Sequence, residues 1–187
     1  MSNPLVPTAR GALQAAAILL AFLGLPAAAS AQAVAESAAL DGARSMYQMV
    51  RDHSMATAVD TPEELYAFRP TDEVRSLGQL LGHVGNASFM FCATVLGEDS
   101  PGTSNLEEAP DKATMVAGLR AAFAYCDRAY AEPTPAQLNE EVSLFGMTGS
   151  KIWVLIFNAT HDWEHYGNLV TYMRLNGIVP PSSRGGM

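Results

Sequence analysis

His161 and His165 stand four residues apart in a stretch whose apolar residues recur at helical spacing. Four residues make about one helical turn, so both imidazoles leave the same face and can share one divalent ion. His83 is the best third ligand, since it lies on the apolar side of another expected helix, between Leu80-Leu81 and Val84. An imidazole there needs a partner, because a buried polar group left unpaired costs about 1–3 kcal/mol. That partner is a backbone carbonyl in the bland reading and a metal ion once a ligand-ready pair stands on another helix. Three His ligands with one or two positions open describe a reactive site rather than a closed structural one. Zn²⁺ or Ni²⁺ suits such a donor set best, with Fe²⁺ or Mn²⁺ as further candidates.

Other residues near these three have two readings each. Asn86, one turn after His83, and Tyr166, beside His165, either orient a small-molecule substrate or pack between helices. Glu164 either orients a ligating His or faces solvent. The run His161-Asp162-Trp163-Glu164-His165 resembles the H-E-x-x-H helix of zinc proteases only superficially. Asp162 is one methylene shorter than the Glu base, and no His follows His165. His53, beside Asp52, reads as a solvated residue near a helix end. The chain has no Gly-rich phosphate loop, no C-x-x-C and no Ser-His-Asp order.

Four helices must position these groups, and the pattern contains no convincing strand pair. The first is expected over about Val34–Ala58, stopped by Asp60-Thr61-Pro62. Glu63–Pro70 is a connector whose Tyr66 and Phe68 cover the core. Thr71, followed by Asp72 and Glu73, is the expected cap of the second helix, with Leu77, Leu80, Leu81, Val84 and Phe91 on its apolar face. Asp111 opens the third helix, which carries Met115, Leu119, Phe123 and Cys126. Residues 136–149 read as a long connection. Ser150 then caps the fourth helix, from about Lys151 to Asn176, whose first turns (IWVLIF) are apolar all round and should be deeply buried. The expected fold is an all-α, antiparallel four-helix bundle.

The 187 residues suffice for one domain, and 49% hydrophobic against 16% charged residues is a globular composition. A net charge of −8 with Lys and Arg scattered singly excludes a nucleic-acid partner. Arg10, the apolar run Gly11–Leu25, Pro26 and Ala29-Ser30-Ala31 together read as a signal peptide over residues 1–31, cleaved before Gln32. That run falls short of the roughly 20 residues needed to span a membrane, so no stable membrane anchor is expected after cleavage. The expected location is periplasmic or secreted, with residues 32–187 forming the mature domain. Such a compartment permits a disulfide between Cys92 and Cys126, whose loop closure would stabilise the fold by about 4 kcal/mol. Two small buried core residues are the equal alternative.

The segments His161–Ser183 (HDWEHYGNLVTYMRLNGIVPPSS), Glu63–Cys92 and Leu138–Gly146 (LNEEVSLFG) resemble the last helix and tail, the connector with the second helix, and the late loop of the DinB/YfiT-like superfamily. The resemblance implies a four-helix bundle of up-down-down-up connectivity, often a homodimer. It also implies a metal triad that falls on His83, His161 and His165. Better-understood members are metal-dependent thiol transferases and isomerases that use low-molecular-weight thiols such as bacillithiol or mycothiol. Those thiols are cytoplasmic, so the expected export of this chain departs from the pattern. Three readings follow: a metal-dependent transferase or hydrolase of a small, possibly thiol, molecule; a metal-dependent ligand-binding module; and a metal ion that only staples helices.

Overall fold

Helix starts are set by side chains that replace the missing backbone partners of the first turn. A computed structural model describes residues 38–102 and 104–185, and the signal peptide expected over residues 1–31 lies outside them. Helix α1 covers 38–60 of the described chain; the start expected at Val34 also lies outside. A 3-10 turn, Glu63–Leu65, follows. Helix α2 is Leu77–Leu96, and its cap is Ser76 rather than the expected Thr71. Ser76 accepts from Gln79 N while the Gln79 side chain accepts from Ser76 N, a reciprocal box that outcompetes the acidic run before it. Helix α3, Lys112–Ala131, starts at Asp111, whose carboxylate accepts from Thr114 N. A short helix α4, Pro135–Leu138, precedes strands β1 (Glu141–Leu144) and β2 (Met147–Ser150). Helix α5 is Lys151–Leu175, capped by Ser150.

The two strands correct the reading of residues 136–149 as a long connection and of the chain as having no strand pair. They pair antiparallel with Leu144 opposite Met147 and Glu141 opposite Ser150. Phe145 and Gly146 form the turn with φ of 52° and 76°, the doubly left-handed pair that a two-residue hairpin turn demands. Phenylalanine is a poor residue for that conformation, which is why the turn carried no recognisable signal.

Contacts between helices give their directions. On α1 and α5, Met46 O accepts from Trp163 Nε1 and Thr57 lies against Met173, so these two run the same way. Tyr47 stacks on Tyr130 and Lys112 Nζ reaches Val59 O, so α3 runs opposite to α1. The Tyr172 hydroxyl donates to Arg75 O while Phe91 meets Phe157, so α2 runs opposite to α5. The bundle is therefore up-down-down-up, with α2 and α3 parallel neighbours, because the chain over 97–111 returns to the other end before α3 begins. Leu81, Val84, Phe91, Leu119, Phe123, Leu155 and Leu169 fill the core. Tyr66 and Phe68 pack against its edge.

The apolar start of α5 is less buried than its composition suggests. Val154 and Leu155 are fully buried, but Ile156 is exposed, because the hairpin covers only part of that turn. Cys92 on α2 and Cys126 on α3 are joined in a disulfide, with Cα atoms 5.2 Å apart. Among the described residues no helix is long and apolar enough to cross a membrane.

Candidate metal centre

The capping box at Ser76 fixes the phase of α2 and sets His83 at the edge of its buried face, between Leu81 and Val84. On the antiparallel α5, His161 and His165 occupy one face a turn apart. The ring centroids of His83 lie 5.2 Å from His161 and 4.7 Å from His165, and those of the pair are 4.3 Å apart. One nitrogen from each ring falls within 4.8 Å of the others, a group that could hold a metal ion. The two Nε2 atoms of His161 and His165 stand 3.0 Å apart. Imidazole nitrogens at zinc distance in a tetrahedral shell are about 3.3 Å apart, so the donors already have nearly the required spacing.

Two of the three rings meet a carboxylate through Nδ1, whereas Nδ1 of His165 is buried without a hydrogen-bond partner among the described residues. His83 Nδ1 meets Glu107 Oε1 at 3.0 Å, which turns Nε2 toward the pair. His161 Nδ1 makes a longer contact, 3.5 Å, with Oδ1 of the fully buried Asp162. The Phe91 and Phe157 rings wall His161, and the exposed Phe145 at the hairpin tip leans on both.

The charges favour metal-ready imidazoles. Burial, aided by the neighbouring His161 and His83, presses His165 down to about 4. Burial also lowers His83, against the pull of its Glu107 hydrogen bond. Burial alone would raise Glu107, but hydrogen bonds from Arg75 and His83 outweigh it and hold the carboxyl below its ordinary value. His83 and His165, both lowered, need lose no proton to bind a cation at physiological pH.

Asp162 is opposite in sign: burial pushes its carboxyl up to about 6, against hydrogen bonding with His161. In metal-free protein its raised pKa makes stability fall as pH rises from about 4 to 6, because the folded state holds the extra proton there. The lowered His165 makes stability rise over about 4 to 6.5, since the unfolded chain then binds more protons. The two slopes oppose each other in the wild type. In Asp162→Asn the opposing carboxyl slope is gone, so its urea midpoint in chelator should rise more steeply between pH 4.5 and 6.5 than the wild-type midpoint. Parallel pH profiles of the two proteins would contradict this assignment.

Glu107 had no sequence signal of its own, since it lies 24 residues from His83 in a loop. A 3-10 turn, Leu106–Glu108, carries it. Leu106 sits against Gly82 and Gly85 of α2 and Gly118 of α3; a Cβ at those positions would stand 2.4 Å from Leu106 O, 2.6 Å from Leu106 Cδ1 and 2.3 Å from Leu106 Cδ2. Glycines inside an apolar helix, each costing about 1 kcal/mol against alanine, were the available hint that a chain passes close by.

The remaining sequence candidates fall elsewhere. Asn86 anchors that same turn, accepting from Leu106 N and donating to Asn105 Oδ1. Tyr166 is buried; its ring stacks on His53 and its hydroxyl accepts from Ser182 N. His53 is thus half-buried against Tyr166 rather than simply solvated. Glu164 is exposed and makes no hydrogen bond among the described residues. Among the described residues, Glu107 and Asp162 are the carboxylates that touch the triad.

Comparison with known proteins agrees with this architecture. A comparison with curated proteins gives no match. Among solved structures, a DinB-like protein from Bacillus cereus superposes with a TM-score of 0.66 at 17% identity, covering 79% of this chain and 97% of the other. A DinB-like protein from Bacillus subtilis gives 0.60 at 20% identity, covering 78% and 99%. A histidine-to-alanine mutant of mycothiol-dependent maleylpyruvate isomerase also gives 0.60, at 16% identity, covering 70% and 60%. At these identities the likeness concerns the fold. The family model of the DinB superfamily matches residues 46–169, which runs from within α1 through most of α5 and includes all three His. The chain belongs to the DinB superfamily.

Proposed function

We propose that this protein is an exported, metal-dependent enzyme that transfers or hydrolyses a small molecule, with one divalent ion on His83, His161 and His165. The observation that carries the reading is the convergence of three ring nitrogens within 4.8 Å on a face where two rings are depressed in basicity. A divalent ion there would lower the pKa of a thiol or water placed in an open position, supplying a nucleophile near neutral pH. Glu107 holds the His83 tautomer, and Phe91 and Phe157 keep solvent from the His161 side. Zinc or nickel is the preferred ion, with iron or manganese next. A thiol is a suitable substrate because imidazole-bound zinc accepts sulfur readily, and one structural neighbour is named for a mycothiol-dependent reaction. The leader expected over residues 1–31 and the Cys92–Cys126 bridge both suit a periplasmic or secreted protein, here taken as a homodimer.

Turnover of thiol and ester probes by the metal-loaded protein tests the proposal. Activity that disappears on chelation and returns with metal, while the helical signal stays constant, is the expected result. Loss of the helical signal on chelation would instead make the ion a staple between α2 and α5.

A further inference from the structure

A cavity of about 490 Å³ opens beside His165, lined by Arg75, Leu80, Asn168, Tyr172 and Glu73. Its volume lies within the range of small-molecule sites. Arg75 is held in place twice. Its carbonyl accepts from the Tyr172 hydroxyl at 3.0 Å, and its Nε donates to Glu107 Oε2 at 2.9 Å. The other oxygen of the same carboxylate takes His83 Nδ1. One carboxylate therefore orients a triad imidazole and a guanidinium together.

Only Nε of Arg75 is used in this arrangement. Among the described residues its two terminal amino groups have no partner, and its side chain is 44% exposed. A guanidinium edge with two parallel N–H donors matches a carboxylate bidentately. The charge of the surroundings permits an anion: Glu107, Glu73 and the buried Asp162 carry at most −3, balanced by +3 from Arg75 and a divalent ion on the triad. Glu73 is also fully exposed, so solvent screens it. Leu80 and Tyr172 supply apolar wall for a short carbon chain.

We propose that Arg75 is a substrate-binding residue and that this cavity takes a small carboxylate-bearing molecule, its anion on the guanidinium edge and its reacting group directed to the His triad. This rests on the metal-site reading above and adds the class of substrate to it.

The test uses the full chain loaded with Co²⁺ and two probes of equal length, 3-mercaptopropionate and 3-mercapto-1-propanol. Near-UV absorbance reports a thiol reaching the cobalt. The acid should bind at least about tenfold more tightly than the alcohol, the effect of one charge-assisted hydrogen-bond pair. Arg75→Met should remove that preference, and Arg75→Lys, which keeps the charge but not the fork, should retain only part of it. Equal binding of the two thiols to the wild type, or an undiminished preference in Arg75→Met, overturns the role of Arg75 while leaving the metal reading standing. Cobalt that fails to bind overturns both; cobalt that binds without responding to either thiol overturns the substrate assignment and leaves the ion on the triad.

Discussion

Replacing Cys92 and Cys126 together by alanine should lower the unfolding free energy by about 4 kcal/mol. For a chain of this size that corresponds to roughly 10 °C in Tm. Both sulfurs are fully buried within the core cluster, joining α2 to α3 across a separation of 34 residues. The main effect acts on the unfolded chain, which the bridge deprives of loop conformations. Alanine leaves little cavity, so the packing loss is small beside the entropic one. The closed loop also contains Leu106 and Glu107, so the bridge holds both ends of the segment that orients His83. Urea unfolding of wild type and double variant measures the difference. A loss below about 1 kcal/mol would mean that the sulfurs are not joined in solution.

The second large effect is expected from a single methyl group. Gly82→Ala would set a Cβ 2.4 Å from Leu106 O, 2.5 Å from Leu106 C and 2.6 Å from Glu107 N. These are backbone atoms and cannot swing aside like a side-chain tip. Overpacking of this kind costs about 1–3 kcal/mol, and the better helix propensity of alanine returns about 1 kcal/mol. The net loss should be about 0–2 kcal/mol, with the larger consequence at the site. The 3-10 turn must move away from α2, taking Glu107 from His83, and groups that orient a ligand are worth about 10–100-fold in metal affinity. Gly167→Ala is the contrasting case, because nothing lies within 4 Å of its added Cβ. It should stabilise the protein by up to about 1 kcal/mol. Zinc titration and thermal melts of the two variants check both statements. Unchanged zinc affinity in Gly82→Ala would show that Glu107 does not position His83.

What could be read from the residues follows from the range over which each signal acts. The pair His161 and His165 needs only the pitch of one helix, and the caps Asp111 and Ser150 act within three residues of themselves. These features were legible. The second cap was misplaced because Thr71 with Asp72 and Glu73 imitates a helix start, while the reciprocal Ser76–Gln79 pair lies five residues on. The hairpin was missed because Phe145 occupies a position where Asn, Asp or Gly is the usual marker. The parallel run of α2 and α3 depends on the path of residues 97–111, which has no periodicity, and only the family resemblance implied it. Glu107 reaches His83, and Arg75 reaches Glu107, through tertiary contact alone. Even so, Gly82 and Gly85 beside His83 mark where that contact is made.

His83, His161 and His165 should together hold one divalent ion. Metal analysis and zinc titration of the full chain, beside His83→Ala, His161→Ala and His165→Ala, test it most directly. One equivalent of metal per chain is expected, with each alanine variant weaker by about 100-fold or more, since a direct ligand should exceed what its orienting partners are worth. Metal-free purified protein whose affinity for added zinc is the same in wild type and His161→Ala would contradict it.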